Sequence, residues 1–304
     1  MLQIHSGLRC DGIPLIRLES DYLLVDTAPA AGGKIVRLIN QLLDYDFLWR
    51  NPNLRLEILP PGSEYDPHFY GGIDELLPND IPETIDGTVC PDHGELWTTA
   101  LRPEIIDGSL ILRGDLPLSG LRYLRRMTVR RDDPWIDLDY SLTNISGVER
   151  HFLWKLHAAL SVQAGDRIEC PARWARVVDP AWSRFHSLDP FPWPVIEGQA
   201  ANIIPEKNGA VDFFYLYDLP EGRIAWQRPA ERLEFTYQFD TSIFPYAWLF
   251  ASYGGFDNHY TIILEPCTAM PVSVNEAAAL GQCAVLQPGE SLQTCASIYA
   301  GPLR

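Results

Sequence analysis

The sequence is short of positive charge. Against 40 Asp and Glu it carries only 24 Lys and Arg, a formal charge of −16. Binding to nucleic acid rests on clustered basic side chains that displace counterions, so this balance argues against that partner class. It also argues against an anionic membrane surface. Long apolar runs are missing too. No stretch approaches the roughly 18 apolar residues that a membrane span needs. The opening Met1–Gly7 has neither the basic segment nor the apolar stretch of a signal peptide. The six cysteines (Cys10, Cys90, Cys170, Cys267, Cys283, Cys295) form no Cys-x-x-Cys pair and no standard zinc spacing. Reduced thiols in a cytoplasmic protein are therefore expected. The glycine-flanked serine of a hydrolase elbow and the glycine fingerprint of a dinucleotide site are both absent. Helical periodicity is nearly absent as well.

Turn residues and short β-like runs are plentiful. With 25 Pro and 22 Gly, apolar stretches are closed every few residues. Examples are Tyr22–Asp26, Lys34–Leu38, Ser109–Arg113, Trp135–Thr143, Arg232–Phe239 and Ser291–Tyr299. Within Trp135–Thr143, Ile136, Leu138, Tyr140 and Leu142 alternate with polar neighbours, the mark of a half-buried antiparallel strand. Short helical turns are expected at 40–44 and 274–280. Residues 61–93 and 179–210 are rich in proline and read as long loops, which in compact domains tend to cover sites. The expected fold class is all-β: one large antiparallel sandwich spanning 1–304, with few short helices.

Two ionisable residues interrupt apolar strands. His157 lies in Phe152–Val162 and shares a face with Leu153, Lys155 and Ala159 under the two-residue period. Glu265 lies in Tyr260–Pro266 and shares a face with Thr261 and Ile263. Pro266 is expected to end that ladder, placing Glu265 at a strand terminus. Burial costs free energy unless such groups are paired, and it moves both pKa values toward neutrality. Each residue has two readings, a hydrogen-bonded core group or an acid or base on a cleft wall. His93, in Asp92-His93-Gly94-Glu95, is either part of a polar turn or a site residue. A metal there lacks support from a second clustered histidine. Gly71–Pro78 reads as a loop carrying Asp74 and Glu75. Arg122, Arg126 and Arg130 line one side of a strand, either a solvated face or a phosphate clamp. Nine Trp and thirteen Tyr supply flat faces for stacking on sugar rings.

Taken in order, several segments resemble the aldose 1-epimerase, or galactose mutarotase-like, family. They are Gly32–Leu38, Gly71–Asn79 followed by Asp92–Leu96, Leu142–Asn144 followed by Phe152–His157, and Ile263–Pro266 followed by Leu286–Ser291. The resemblance implies a β-supersandwich with a sugar groove on one sheet and no cofactor or metal. It implies His157 as general acid and Glu265 as general base, with His93 binding the sugar near its ring oxygen. Asp212 would match a hydroxyl-binding aspartate, and Lys155 shares the His157 face. The sequence departs from the pattern where an arginine is expected before the double glycine. Tyr70 stands there, with His68 nearby, and is the candidate substrate contact in its place. A neighbouring opposite charge is expected to keep His157 protonated and Glu265 ionised. The implied activity is interconversion of α and β anomers of an aldose. A non-catalytic carbohydrate-binding domain, a sugar-phosphate epimerase and a lyase or hydrolase remain the other readings; a hydrolase would want two flanking carboxylates.

Overall fold

The computed structural model describes residues 2–304. Two antiparallel sheets form most of it, of twelve and eight strands. In spatial order the larger runs Gln3–Cys10, Ile13–Glu19, Leu23–Ala28, Lys34–Asn40, Ile73–Leu76, Lys155–Ser161, Tyr260–Cys267, Tyr246–Tyr253, Ala210–Tyr217, Trp174–Val177 and Phe191–Pro192. Tyr45–Asp46 pairs at the side of Lys34–Asn40. The smaller sheet includes Ser109–Leu116, Leu121–Val129, Trp135–Asn144, Leu233–Phe239 and the twelve-residue strand Ser291–Pro302.

The six strands expected from alternation are all present. Their alternation builds the sandwich. Leu38, Leu156 and Leu264 from the larger sheet meet Leu112, Leu138 and Ile298 from the smaller one in a single apolar cluster. Burial of this apolar surface drives association of the sheets. The other face of the larger sheet is then free to carry a groove.

Four local expectations are corrected. The expected helix at 40–44 is absent, because Asn40 ends a strand and 41–44 form a turn; the second helix expectation is met by Val274–Ala279, capped by the Ser273 side chain. Gly71–Pro78 is not a loop, because Ile73–Leu76 is a central strand. The 61–93 stretch also holds a short hairpin, Glu83–Ile85 with Thr88–Cys90. Pro266 does not stop its strand, which runs on to Cys267 with Pro266 opposite Ala247. The Arg122 side of its strand is a solvated face. Arg122 pairs with Asp115 at 2.6 Å and Arg130 with Asp137 at 2.7 Å, all exposed.

Candidate active site

Strand register places the chemistry. His157 pairs with Asp74 on one side. On the other side Lys155 pairs with Cys267 and Ala158 with Leu264, so His157 and Glu265 hold directly opposed positions. Glu265 pairs in turn with Trp248, and Trp248 with Tyr215. One rung across five strands therefore reads Asp74, His157, Glu265, Trp248, Tyr215. Opposed residues on neighbouring strands share a face, so polar groups and flat rings line up together. The next rung on that face, two residues along each strand, is apolar: Ala159, Ile263, Phe250 and Phe213.

Above these rungs lies a cavity of about 290 Å³. That is near the lower end of ligand pockets, about 300–1,000 Å³, and suits a ligand of about one small ring. His93, Lys155, His157 and Glu265 all reach it. So do Asp66, Asp80 and Asp179. Its walls are otherwise apolar, with Tyr65, Phe69, Phe213, Phe250 and Phe256 prominent. His93 arrives on a turn with positive φ (55°), followed by Gly94 at 73°. A Cβ on Gly94 would stand 2.2 Å from the Leu77 carbonyl oxygen. Glycine is required for that approach, and the approach carries His93 to the cavity.

The charges form a compact cluster. Lys155 is buried between two carboxylates. It donates to Asp80 and lies 2.7 Å from Glu265 Oε2. The second contact is a charge contact without hydrogen-bond alignment, and Glu265 Oε2 is left with no aligned donor. Burial raises the Glu265 pKa above its ordinary value, and the Lys155 ammonium opposes that rise. His93 donates its Nδ1–H to Asp92 at 2.8 Å, and its Nε2 lies 3.7 Å from Asp80. Tyr65 stacks on His93 at 4.3 Å and meets the His157 ring edge-on at 5.7 Å.

His157 differs from expectation. Burial pushes its pKa well below the ordinary histidine value, and the charges of Lys155, His93 and Lys34 push the same way. Both influences favour the neutral imidazole. The expected opposite charge serves Glu265, through Lys155, and not His157.

Two expected substrate contacts lie elsewhere. Tyr70 lines a second cavity with Lys34, Arg55, His68 and Trp97, and its hydroxyl faces Cys10 Sγ at 3.8 Å. Its ring packs in an apolar cluster with Ile13, Leu15, Ala28 and Val36. Asp212 is fully buried and already saturated. It accepts from Ser183 Oγ and the Arg184 backbone at 3.2 Å, and from Arg184 Nε at 2.9 Å and Nη2 at 2.5 Å. Its work is to pin the 179–185 segment, which brings Asp179 and Trp182 to the cavity. Asp80, Tyr65 and Trp182 were not singled out in the sequence. Asp80 directly follows the Gly71–Asn79 motif, and the other two sit in the stretches read as loops over a site. Asp92, His93 and Glu95 do not converge on one point. Glu95 turns away to accept from the Leu118 and Ser119 backbones. Among the described residues no group of three or more His, Cys, Asp or Glu is placed to hold a metal ion.

No helix among the described residues is long and apolar enough to cross a membrane. No family model matches the sequence, and no curated protein matches it. Solved structures do. A candidate aldose 1-epimerase from Klebsiella pneumoniae superposes with a TM-score of 0.75 at 15% identity, covering 98% of this chain and 83% of that one. A candidate aldose 1-epimerase from Escherichia coli K12 gives 0.70 at 16%, with both chains covered completely. A galactose mutarotase-like protein from Clostridium acetobutylicum gives 0.71 at 14%, covering 99% of each. At such identities the likeness is one of fold. The chain has the galactose mutarotase-like fold, in the all-β form that its sequence motifs resemble.

Proposed function

We propose that the protein interconverts the anomers of a neutral aldose by acid–base ring opening. The observation that carries this reading is the rung that opposes His157 to Glu265 on the wall of one cavity. Glu265 takes the proton of the C1 hydroxyl, whose oxygen becomes the carbonyl oxygen. The imidazolium of His157 gives a proton to the ring oxygen as the bond from C1 to that oxygen breaks. Rotation about C1–C2 and the reverse transfers close the other anomer, so protons balance without a co-reactant. His93 and Asp80 supply polar contacts to the sugar, and the Phe213–Phe250 rung supplies an apolar floor.

The electrostatics suit the task. Burial raises the basicity of Glu265, while burial and Lys155 make the His157 imidazolium a stronger acid. From their ordinary values the two proton affinities are thus pushed in opposite directions, Glu265 up and His157 down. Each well-placed acid or base contributes about 10²–10⁴-fold. A phosphorylated sugar is the poorer substrate. Its charge would meet Asp66, Asp80, Asp179 and Glu265, with no arginine on the cavity wall and Lys155 already flanked by two acids.

The test is polarimetry on freshly dissolved free aldoses. Acceleration by the wild type, lost in His157→Ala and Glu265→Ala, is expected for at least one sugar. Tight binding with no acceleration would instead favour a carbohydrate-binding domain.

A further inference from the structure

Beside His157, starting at Tyr65 on the cavity wall, runs a line of groups that acid–base chemistry alone does not require. Tyr65 is a buried phenol whose hydroxyl lies 2.8 Å from Asp74 Oδ2 and 3.4 Å from His157 Nδ1. The same Asp74 oxygen accepts from Lys34 Nζ at 2.5 Å, and Lys34 also donates to the Gly71 carbonyl at 3.2 Å. Lys34 is itself buried and reaches the second cavity. The line Lys34, Asp74, Tyr65, His157 thus spans the sheet from one cavity to the other.

The proton count along this line is restrictive. A phenol has one proton. The shorter contact, with a carboxylate that can only accept, claims it. The Tyr65 oxygen is then an acceptor toward His157, and the imidazole must present Nδ1–H to it. We propose that Tyr65, held by Asp74 and Lys34, is a positioning residue that keeps the proton of neutral His157 on Nδ1 and reserves Nε2 for exchange with the sugar. This deepens the acid–base reading above and rests on it for its catalytic meaning. The tautomer itself does not depend on turnover.

The consequence is directional. A histidine whose neutral form can carry its proton on either nitrogen would spend part of its time with Nε2 already protonated and unable to receive the proton back when the ring closes. With Nδ1 committed, His157 loses and regains a proton at one atom only. The groups facing the ring support that choice: Tyr65 is the side chain within hydrogen-bond reach of His157 Nδ1, while Lys155, Lys34 and His93 act on the ring as charges.

The experiment is long-range proton–nitrogen correlation NMR on protein labelled with ¹⁵N-histidine, with His157 assigned from the His157→Asn spectrum. At a pH well above the titration of His157, the wild type should show proton-bearing Nδ1 and bare Nε2. Tyr65→Phe keeps the ring and removes the oxygen, and it should shift His157 toward the Nε2–H form. In the same variant kcat should fall about tenfold, the worth of one hydrogen bond of roughly 1–1.5 kcal/mol, with KM changed much less. A proton on Nε2 in the wild type, or an unchanged tautomer in Tyr65→Phe, overturns the proposal. Should Tyr65→Phe not fold, the wild-type spectrum alone decides. If the tautomer behaves as expected and no aldose is turned over, the positioning stands and the anomerase reading fails.

Discussion

Two buried glutamates, Glu75 and Glu265, sit on either side of the His157 strand and do opposite things. Glu75 points between the sheets, and each of its oxygens takes two donors. Arg125 and Tyr140 donate to Oε1 at 2.8 and 3.0 Å, and Tyr123 and Trp154 donate to Oε2 at 2.8 and 3.2 Å. Glu265 points into the cavity, and its single protein partner is the Lys155 charge. A buried carboxylate with all its acceptors filled is fixed in place. One with acceptors open has capacity for a ligand. Burial alone therefore does not mark the functional acid; unfilled hydrogen-bonding capacity at a cavity does. Asp212 repeats the lesson, with both oxygens filled by Ser183 and Arg184.

The largest effects should separate the two glutamates. Glu265→Gln is expected to lower the anomerisation rate by about 10²–10⁴-fold while denaturant unfolding changes little, because Lys155 keeps Asp80. Glu75→Gln should do the reverse. It strands the fully buried Arg125, a loss on the order of 3–5 kcal/mol in urea titration, with turnover of the folded fraction retained. If Glu75→Gln abolished turnover at full stability, the contrast would collapse.

The pH dependence probes the cavity side alone. Glu265 must be ionised, and its raised pKa means activity is lost as pH falls through a value above 4.5. His157 must be protonated, and its lowered pKa means activity is lost as pH rises through a value below 6.5. The kcat/KM profile should be a bell, falling about tenfold per pH unit on the alkaline side as His157 loses its proton. As the groups interact, the two limbs report the pair. A flat profile from pH 6 to 9 would contradict these roles.

Smaller effects should come from the roof. Asp212→Asn removes the charge that holds Arg184, at roughly 1–3 kcal/mol. By loosening 179–185 it should raise KM more than it lowers kcat. Trp182 is 55% exposed at the cavity lip. Trp182→Ala should cost about 0.5–1.5 kcal/mol of stacking, read as a two- to tenfold rise in KM at constant stability.

Much of this was legible in the residues. Period-two alternation located the sandwich strands, since one face of each must be apolar. His157 and Glu265 stood out because charge inside an apolar strand needs a reason. Their opposition was not legible, because it depends on register between strands more than a hundred residues apart. Asp74 looked like a loop acid because Gly71-Gly72 and Pro78 bracket a strand of only four residues. Pro266 misled for a local reason: a missing N–H does not end a strand whose neighbours hold it. Tyr70 and Asp212 were placed by motif position, and only side-chain direction reveals that one faces another cavity and the other is already filled.

The most direct test is magnetisation-exchange NMR between the two anomeric protons of a free aldose, with the wild type and Glu265→Gln compared at equal concentration. The account predicts exchange well above the uncatalysed rate for at least one neutral aldose, returning to that rate in the variant. No acceleration for any neutral aldose, or equal acceleration by both proteins, would contradict it.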